Sequence, residues 1–377
     1  MSLDLEKYRL EFPITRNWIY CNHAAVCPIS TRVRNAILEI TRDLNEYGAV
    51  HWKTWGKTVH LARDLTARFI HAEPEEIAFV KNTSDGLSIL SNGLDWKSGD
   101  KVVSIDNEFP SNVYPWVALQ SRGVDLVTIP EREGRVDLGE IEVALDCRTR
   151  VLTVSFVQYL SGFRIDLEAL GNLCRQRNII FCVDAIQGMG AFEIDVQRQK
   201  IDFLSADAHK WMLGTEGIGV AYISSRILEQ VRPTVLGWMS VEHFNDFNHR
   251  ALEYRRGALR YECGSLNTVG IYGLAAAMGL LLEVGIEDIS KQILSTTSHL
   301  CRGLESKGYR ILGSRREGEA SGIVSFDPSH RGLEAYAIHK KLEGARIAAA
   351  LRGGFVRIAP HFYNTTAEMD MILNVLP

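Results

Sequence analysis

The sequence lacks the features that mark several classes of protein. Its 377 residues contain no apolar run near the ~20 residues that span a bilayer, and the opening MSLDLEKYRLEF is too charged for a signal peptide. Forty-two basic residues against 46 acidic ones give a net charge of −4, with no block of like charge. This balance provides no general field to recruit nucleic acid or an anionic membrane. We therefore expect a cytoplasmic protein that binds small molecules, without nucleic-acid or membrane partners.

Cysteine is present without any pairing pattern. The seven cysteines, an odd number, lie singly along the chain with no CxxC pair, which predicts reduced thiols. No zinc site is recognisable, and we predict no bound metal. The sequence also has no internal repeat, low-complexity tract or proline-rich linker, so its structural units are expected to pack tightly together.

The composition is that of a folded globular protein, with 46% hydrophobic, 23% charged and 9% aromatic residues. The length is more than twice the usual ~150-residue domain, which favours one large domain with a smaller companion. Seven nearly continuous apolar runs alternate with helical patterns, as in a mostly parallel sheet covered on both faces. These runs are IAFV, KVVSI, DLVTIP, RVLTVSFV, IIFCVDA, FLSAD and GVAYIS.

A change in texture after about residue 255 marks the expected domain boundary. We predict a large α/β domain over residues 16–255 and a small α+β domain over residues 256–377, with residues 1–15 packing on either. Within the first, Asp166 is placed to cap a helix; the second opens with a helical stretch over 266–284. Its last helix begins at Thr365 and Glu368, which have capping-box spacing.

Two charged residues end neighbouring strands of the predicted sheet. Asp184 ends the run IIFCVD, and Lys210 lies three residues beyond the run FLSAD. Ligands bind at the carboxyl ends of strands in an open parallel sheet, so both charges are expected on one functional edge. A buried acid that protonates a ring nitrogen and an amine that forms a Schiff base suit a pyridine cofactor. Taken singly, Asp184 serves equally as a helix cap, and an isolated lysine such as Lys210 is more often solvated.

A phosphate-binding segment is predicted after the run IAFV. Asn82, Thr83 and Ser84 open a helical pattern that carries Leu87 and Leu90. The amino terminus of a helix binds anions through its free N–H groups and its dipole. Thr83 or Ser84 equally serves as a simple helix cap, and the two roles are compatible.

Five separated motifs together resemble the class V aminotransferase group of pyridoxal 5′-phosphate enzymes, which includes cysteine desulfurases, selenocysteine lyases, isopenicillin N epimerase-like proteins and kynureninase. The resemblance covers almost the whole chain. It implies a type I fold for pyridoxal-phosphate enzymes, with a mostly parallel seven-stranded sheet in the large domain. The motifs are IAFVKNTSDGLS, VDAIQG, FLSADAHKWMLGTEGIGVAYIS, RYECGSLN and VRIAPHFYNT.

The resemblance also implies a role for each matching residue. Lys210 is the Schiff-base lysine, and Asp184 is the partner of the pyridinium nitrogen. The other implied cofactor contacts are Thr83, Ser84 and His209 at the phosphate, Gln187 at the ring oxygen, Phe109 on the ring face, and Ser265 at the phosphate of the neighbouring subunit. The implied substrate contacts are Arg357 at the α-carboxylate, with Asn22, His23 and Tyr159 around the mouth of the site. The role of Ser265 implies a homodimer with shared active sites.

Three positions depart from the desulfurase pattern. Phe109 stands where desulfurases carry a ring-stacking histidine; an aromatic face still stacks on a pyridine but moves no protons. Tyr159 stands where desulfurases often have asparagine. Asp207 replaces a common serine, and it is not a predicted phosphate ligand because two anions repel each other. The phenylalanine favours the kynureninase-like and epimerase-like branches.

The thiol that desulfurases use to accept sulfur has no counterpart at the expected place. That stretch is RIAAALRGGFVRIAP, which contains no cysteine and has only Arg352, Gly353 and Gly354 in its loop. Cys263 does not match the acceptor position. Persulfide transfer is therefore disfavoured, while direct release of a sulfur leaving group remains open.

We expect an enzyme that acts on an α-amino acid through an external aldimine, by transamination or by C–S β-elimination. Cysteine desulfurase or selenocysteine lyase activity, amino-acid epimerisation and kynureninase-like hydrolysis are the alternatives. Further pocket candidates are Trp238 and His361, although such side chains are more often packed in the core or at an interface.

Two other classes fit less well. A nicotinamide-dependent dehydrogenase would also be a parallel α/β protein, but the glycine cluster 188–190 has Glu193 at the third fingerprint position. A non-enzymatic interaction module is opposed by the intact Lys210, Asp184 and Arg357.

Overall fold

The computed structural model describes residues 3–377, and the bounds of its elements are as follows. The α-helices are α1 (Leu5–Arg9), α2 (Thr31–Tyr47), α3 (Trp52–Ile70), α4 (Thr83–Gly93), α5 (Tyr114–Val117), α6 (Leu138–Ala144), α7 (Leu167–Gln176), α8 (Thr268–Val284), α9 (Ile286–Ser306), α10 (Ala335–Gly344) and α11 (Thr366–Val375). The strands are β1 (Ile19–Tyr20), β2 (Ile77–Val80), β3 (Lys101–Ile105), β4 (Asp125–Ile129), β5 (Thr149–Ser155), β6 (Ile180–Asp184), β7 (Phe203–Asp207), β8 (Gly219–Ile223), β9 (Arg310–Leu312), β10 (Val324–Asp327), β11 (Ile347–Ala348), β12 (Ala350–Arg352) and β13 (Phe355–Ile358).

A seven-stranded sheet with the order β2-β8-β7-β6-β5-β3-β4 forms the centre of the molecule. Only β8 runs against its neighbours β2 and β7, and the other pairings are parallel. Every residue of β2, β3, β6, β7 and β8 is buried, because helices cover both faces of the sheet. The mostly parallel sheet predicted from the seven apolar runs is confirmed.

A second, antiparallel sheet with the order β12-β13-β10-β9 is formed by the C-terminal part of the chain. Helices α9, α10 and α11 pack with it around a core of its own that includes Leu300, Phe326 and Ile358. This unit has the α+β character expected for the C-terminal region. Strands β12 and β13 are joined by Gly353 and Gly354, whose φ angles of +54° and +83° fit a two-residue hairpin turn.

The N-terminal segment contacts both parts of the molecule. Strand β1 pairs with β11, Arg9 forms an ion pair of 2.9 Å with Glu368 on α11, and Lys7 lies 3.0 Å from Glu283 on α8. Helix α8 packs mainly on α2 and α3, although the sequence assigns it to the C-terminal unit. The boundary at residue 255 itself stays a prediction.

The helix starts that side-chain caps predict agree with the structure at two helices and differ at a third. Asp166 caps α7, and Thr365 and Glu368 form a complete capping box at α11, as predicted. At α4 the cap is Asn82, whose Oδ1 accepts a hydrogen bond of 2.9 Å from the amide of Asp85. The alternative that Thr83 or Ser84 caps this helix is wrong, because both lie inside its first turn.

No single helix in the described part of the chain has both the length and the apolar character needed to cross a membrane. Helices α8 and α9 pass that test only as a pair, and they meet at an angle of 80°.

Candidate active site

A cavity of about 370 Å³ lies where the carboxyl ends of β6 and β7 meet the amino terminus of α4. This is the edge of the sheet at which the strand order predicts ligand binding. A larger cavity of 630 Å³ elsewhere is lined by none of the predicted site residues. The predicted residues that line the smaller cavity are Thr83, Ser84, Phe109, Tyr159, Asp184, Gln187, His209, Lys210 and Arg357.

Asp184 supplies a buried carboxylate with one unused oxygen. It ends β6 and is 1% exposed. Its Oδ1 accepts a hydrogen bond of 3.1 Å from the amide of Ile186, whereas Oδ2 is buried without a partner. Burial, together with the nearby Glu108 carboxylate, raises the pKa of Asp184 to about 7. A buried oxygen without a partner is costly, so the site is built for a proton donor at this position.

Lys210 supplies an amine of lowered basicity. Its side chain is 7% exposed, and Nζ lies 5.4 Å from the centre of the Phe109 ring. Burial lowers the pKa of Lys210 to about 8, and the positive charge of Arg357 adds to this effect, while Asp184 opposes it. A lysine with this pKa has an accessible neutral form near physiological pH, which a nucleophilic amine requires.

Hydroxyl groups and backbone amides surround the amino terminus of α4. Thr83 Oγ1 accepts a hydrogen bond of 3.1 Å from the Asp207 amide, which fixes α4 against the end of β7. Ser84 Oγ lies 2.8 Å from Ser111 Oγ, and both side chains face the cavity. The first amides of a helix have no acceptor within the helix, so this end of the cavity can bind an anion.

His209 and Asp207 form a close pair at the same end of the cavity. Nδ1 of His209 lies 2.8 Å from Asp207 Oδ1, a contact at ion-pair distance whose geometry is not that of a hydrogen bond. Asp207 Oδ1 also accepts a hydrogen bond of 3.5 Å from the His209 amide, so the carboxylate is bonded to its neighbour, as expected for an acidic group beside a phosphate site. His209 is in position to bind an anion, and Asp207 orients its ring.

The amide of Gln187 has a fixed orientation. Its Oε1 accepts a hydrogen bond of 2.8 Å from the indole of Trp211, and its Nε2 donates one of 3.0 Å to the Ala24 carbonyl. An amide nitrogen carries two protons, so one N–H of Gln187 is left for a ligand oxygen. Gln187 can therefore donate a hydrogen bond to a ligand oxygen.

Arg357 is a buried cation without a carboxylate partner in the described chain. It lies on β13, is 2% exposed, and donates one hydrogen bond of 2.6 Å from Nη1 to the Tyr159 carbonyl. Its Nε is buried without a partner, and burial lowers its pKa to about 10. The Nε and Nη2 edge of the guanidinium is the fork that binds a carboxylate in two-point fashion.

The aromatic side chains predicted at the site lie together. The ring centres of Phe109 and Tyr159 are 5.4 Å apart in an edge-to-face arrangement, and Phe109 is 41% exposed. Phe109 thus presents an aromatic surface next to Lys210.

Other predicted residues are not brought to this cavity. His23 is fully buried, with ring nitrogens 2.8 Å from the Ala359 carbonyl and 2.6 Å from Tyr363 Oη, so its polar atoms are engaged. The backbone of Asn22 forms an isolated β-bridge with Ala359. Asn22 does not line the cavity, although Ala24, two residues later, does. Of the remaining candidates, Ser265 and Trp238 are exposed and His361 is enclosed.

No cysteine in residues 3–377 lines the cavity. Cys27 is buried, and its Sγ donates a hydrogen bond of 3.4 Å to the Gly214 carbonyl; burial raises its pKa to about 12. Cys263 is half-buried in another segment. The place where a desulfurase thiol is expected is the tight hairpin between β12 and β13.

Sequence reasoning missed three polar or charged residues at or near the cavity. Arg352 and Ser111 line the cavity, and the buried Glu108, whose charge acts on Asp184, is hydrogen-bonded to Gln158 Nε2 at 3.0 Å. Burial raises the pKa of Glu108. The sequence offered two signals for these residues. Arg352 precedes the glycine pair of a loop, and Glu108 is adjacent to Phe109.

The donor set fits pyridoxal 5′-phosphate at each end. The free Oδ2 of Asp184 suits the protonated ring nitrogen, Lys210 suits the aldehyde, and the α4 terminus suits the phosphate. Arg357 is left for a substrate carboxylate.

The chain is similar to known proteins over nearly its whole length. The family model for class-V aminotransferases matches residues 19–370. A probable cysteine desulfurase of Pyrococcus abyssi is 31% identical over 390 residues, which cover 98% of this chain and 96% of that protein.

Two solved structures share the fold. A cysteine desulfurase from Thermococcus onnurineus NA1 in its apo form has a TM-score of 0.91 and 27% identity, covering 100% of this chain and 98% of that one. A cystine C-S lyase in complex with its reaction product cysteine persulfide has a TM-score of 0.89 and 25% identity, covering 96% and 98%. The predicted type I fold and family are confirmed, and the chain belongs to the class-V aminotransferase family.

Proposed function

We propose that this protein is a pyridoxal-phosphate-dependent lyase that breaks the bond between Cβ and sulfur in a cysteine-related amino acid. The chain is a pyridoxal-phosphate enzyme of the transferase or lyase type, as its family membership establishes. The observation that carries the narrower proposal is the lack of a cysteine at the cavity among residues 3–377, where a desulfurase places its acceptor thiol. The sulfur product is then released directly to water. The similar cystine C-S lyase has cysteine persulfide as its reaction product.

Each cavity residue has a role in this proposal. Pyridoxal 5′-phosphate, when bound, supplies an electron sink for the bonds at the amino acid's Cα. Asp184 holds a proton at the ring nitrogen through its free Oδ2, and Arg357 binds the substrate α-carboxylate along its Nε and Nη2 edge. Lys210 takes the proton from Cα, for which its lowered pKa suits it.

The remaining predicted contacts orient the ring and the phosphate. Thr83, Ser84 and His209 bind the phosphate, Gln187 donates its free N–H to the ring oxygen, and Phe109 covers the ring. Ser265 is exposed and does not line its own chain's cavity, which supports a homodimer in which it reaches the partner's phosphate. Asn22 and His23 are left out of the substrate contacts, because they do not line the cavity.

The overall reaction needs no external oxidant or reductant. The proton leaves Cα, the Cβ–S bond breaks with its electron pair going to sulfur, and sulfur takes up a proton. With cysteine, one water is consumed for each pyruvate, ammonia and hydrogen sulfide released; with cystine, the sulfur product is cysteine persulfide.

Product analysis of the holoenzyme with cysteine and with cystine tests the proposal. A lyase releases pyruvate and ammonia in equal amounts without an added 2-oxo acid. An aminotransferase, the second candidate within this family, needs a 2-oxo acid and releases no ammonia, whereas a desulfurase yields alanine. Formation of alanine that is lost in Cys263→Ala or Cys27→Ala would overturn the lyase proposal.

Lys210→Ala tests the assignment of the amine. The wild-type holoenzyme is expected to absorb at about 410–430 nm, with a colour that carbonyl reagents remove. The variant loses both this absorbance and turnover. Retention of either would show that another amine carries the cofactor.

A further inference from the structure

A closed loop outside the active site is formed by residues 241–254. An antiparallel bridge joins Val241 to Tyr254, and the amide of Glu242 donates a hydrogen bond of 2.9 Å to the Glu253 carbonyl. Two successive turns follow, in which the Asp246 amide donates to the His243 carbonyl and the His249 amide donates to the Asp246 carbonyl. We call this segment the 241–254 loop.

Three metal-ligating side chains converge within the 241–254 loop. One ligand atom from each of His243, His249 and Glu253 lies within 4.8 Å of the others, the one such group found in the described residues. Nε2 of His243 is 3.7 Å from Glu253 Oε2, and Nε2 of His249 is 3.9 Å from Glu253 Oε1. These separations exceed hydrogen-bond distance, so the carboxylate is not bonded to either ring.

The two imidazole rings also indicate that a ligand is missing between these side chains. Their centres are only 4.4 Å apart, and Nε2 of His249 is buried without a hydrogen-bond partner. Hydrogen bonding within the cluster therefore does not explain why these side chains meet. In a tetrahedral zinc site with bonds of about 2.0–2.2 Å, the ligand atoms lie roughly 3.3–3.6 Å apart. Small side-chain movements bring the three groups into that range.

We propose that His243, His249 and Glu253 bind a divalent transition metal, with Zn²⁺ the best match. Two neutral imidazoles and one carboxylate suit zinc better than magnesium or calcium, which prefer oxygen ligands. A fourth position stays open to water or to a partner side chain. The sequence predicted no metal, because a His-x5-His-x3-Glu spacing on an irregular loop matches none of the common zinc motifs.

The position of the loop indicates a structural role for the ion. None of the three ligands lines the cavity of its own chain. Phe244 lies between them in sequence, and its ring centre is 5.9 Å from that of Trp238. The Met239 amide in turn donates a hydrogen bond of 3.4 Å to the Cys263 carbonyl, next to Gly264 and Ser265. A bound ion thus braces the loop that packs beside the segment of Ser265.

Metal titration of the metal-depleted holoenzyme tests the site. We expect one Zn²⁺ or Co²⁺ to bind per chain, measured by calorimetry and by metal analysis after dialysis. His249→Ala and Glu253→Gln should each weaken binding by at least the roughly 10–100-fold that loss of an outer-shell partner causes. His330→Ala is the matched control, since His330 also lies 3.7 Å from a carboxylate, that of Asp327, but without a third ligand. The control should bind like the wild type.

Limited proteolysis gives a second readout that is independent of activity. Arg250 is exposed and lies between His249 and Glu253, so trypsin can cut inside the coordinating segment. Zinc should slow this cut in the wild type and in His330→Ala, but not in Glu253→Gln. Absence of one-to-one binding, or equal binding and protection in all variants, would show adventitious binding only and would overturn the proposal.

Discussion

The charges of Asp184 and Lys210 are set by burial before any ligand arrives. Burial raises the pKa of the carboxyl to about 7 and lowers that of the amine to about 8, so both groups change charge within about one pH unit of each other. Perturbation of this kind, in a cavity, is typical of catalytic groups. Each group also favours the charged form of the other, which couples their titration.

The lowered pKa of Lys210 predicts how fast the apoprotein takes up pyridoxal 5′-phosphate. Only the neutral amine attacks the aldehyde, so the rate of colour development should rise with pH and level off with a midpoint near 8. In Asp184→Asn the midpoint should fall, because Asp184 raises the pKa of Lys210. Stopped-flow absorbance measures both, with Lys210→Ala as the blank. A midpoint near the ordinary lysine value of 10.5 would contradict the burial argument.

Arg357 predicts a selective loss of substrate affinity. In Arg357→Ala the α-carboxylate loses a charge-assisted fork, whose hydrogen bonds contribute about 1.5–3 kcal/mol each, so KM should rise at least 10-fold. The cofactor absorbance should stay unchanged, because the assigned contact of Arg357 is to the substrate carboxylate alone. Arg357→Lys, which keeps the charge without the fork, should recover only part of the loss. A large drop in cofactor absorbance would count against this assignment.

At the scale of elements, helix α4 positions the phosphate end of the site by its close approach to β7. Gly86 makes this approach possible: a Cβ built there would lie 2.1 Å from Ser205 Oγ and 2.8 Å from Ser205 Cβ. Asn82 fixes the start of the helix, and Thr83 Oγ1 ties it to the Asp207 amide at 3.1 Å. The amino terminus of α4 is therefore fixed relative to the end of β7, the strand that leads to Lys210.

Gly86→Ala should push α4 away from β7. We expect a loss of about 1–3 kcal/mol in the free energy of unfolding, typical of overpacking, with weaker binding of pyridoxal 5′-phosphate. Gly279→Ala on α8 is the control, since a Cβ there meets no atom within 4 Å; it should gain up to ~1 kcal/mol from helix propensity. Denaturant unfolding and cofactor titration measure the two effects. Ser205→Gly should restore the Gly86→Ala variant, and failure to do so would contradict the proposed clash.

The strands and the core of the site were predictable because they depend on local sequence. A short run such as IIFCVD, rich in β-branched and aromatic residues, favours a strand covered on both faces, and its end places Asp184 at the ligand edge. The packing of α2 and α3 on α8 was not predictable, because it depends on contacts between segments far apart in sequence. For the same reason the sequence does not show that the His23 ring is buried against Ala359 and Tyr363, because these partners lie near the other end of the chain.

At the scale of the whole molecule, the proposed dimer makes each active site depend on two chains. Ser265 is exposed and outside its own chain's cavity, while Ser84 and Lys210 line it. A closed two-fold dimer exchanges equivalent segments between subunits, so Ser265 of each chain can complete the site of the other. This arrangement is distinguishable from a site contained within one chain by combining inactive subunits.

Mixed dimers of Lys210→Ala and Ser265→Asp should recover activity that neither variant has alone. The added carboxylate repels the phosphate, so each homodimer lacks a working site. In the mixed dimer one site keeps both its Lys210 and its Ser265, and random pairing yields about a quarter of the wild-type activity. Lys210→Ala mixed with Ser84→Asp is the control: both residues belong to one chain's cavity, so no site is complete. Equal recovery in both mixtures, or in neither, would contradict sharing through Ser265.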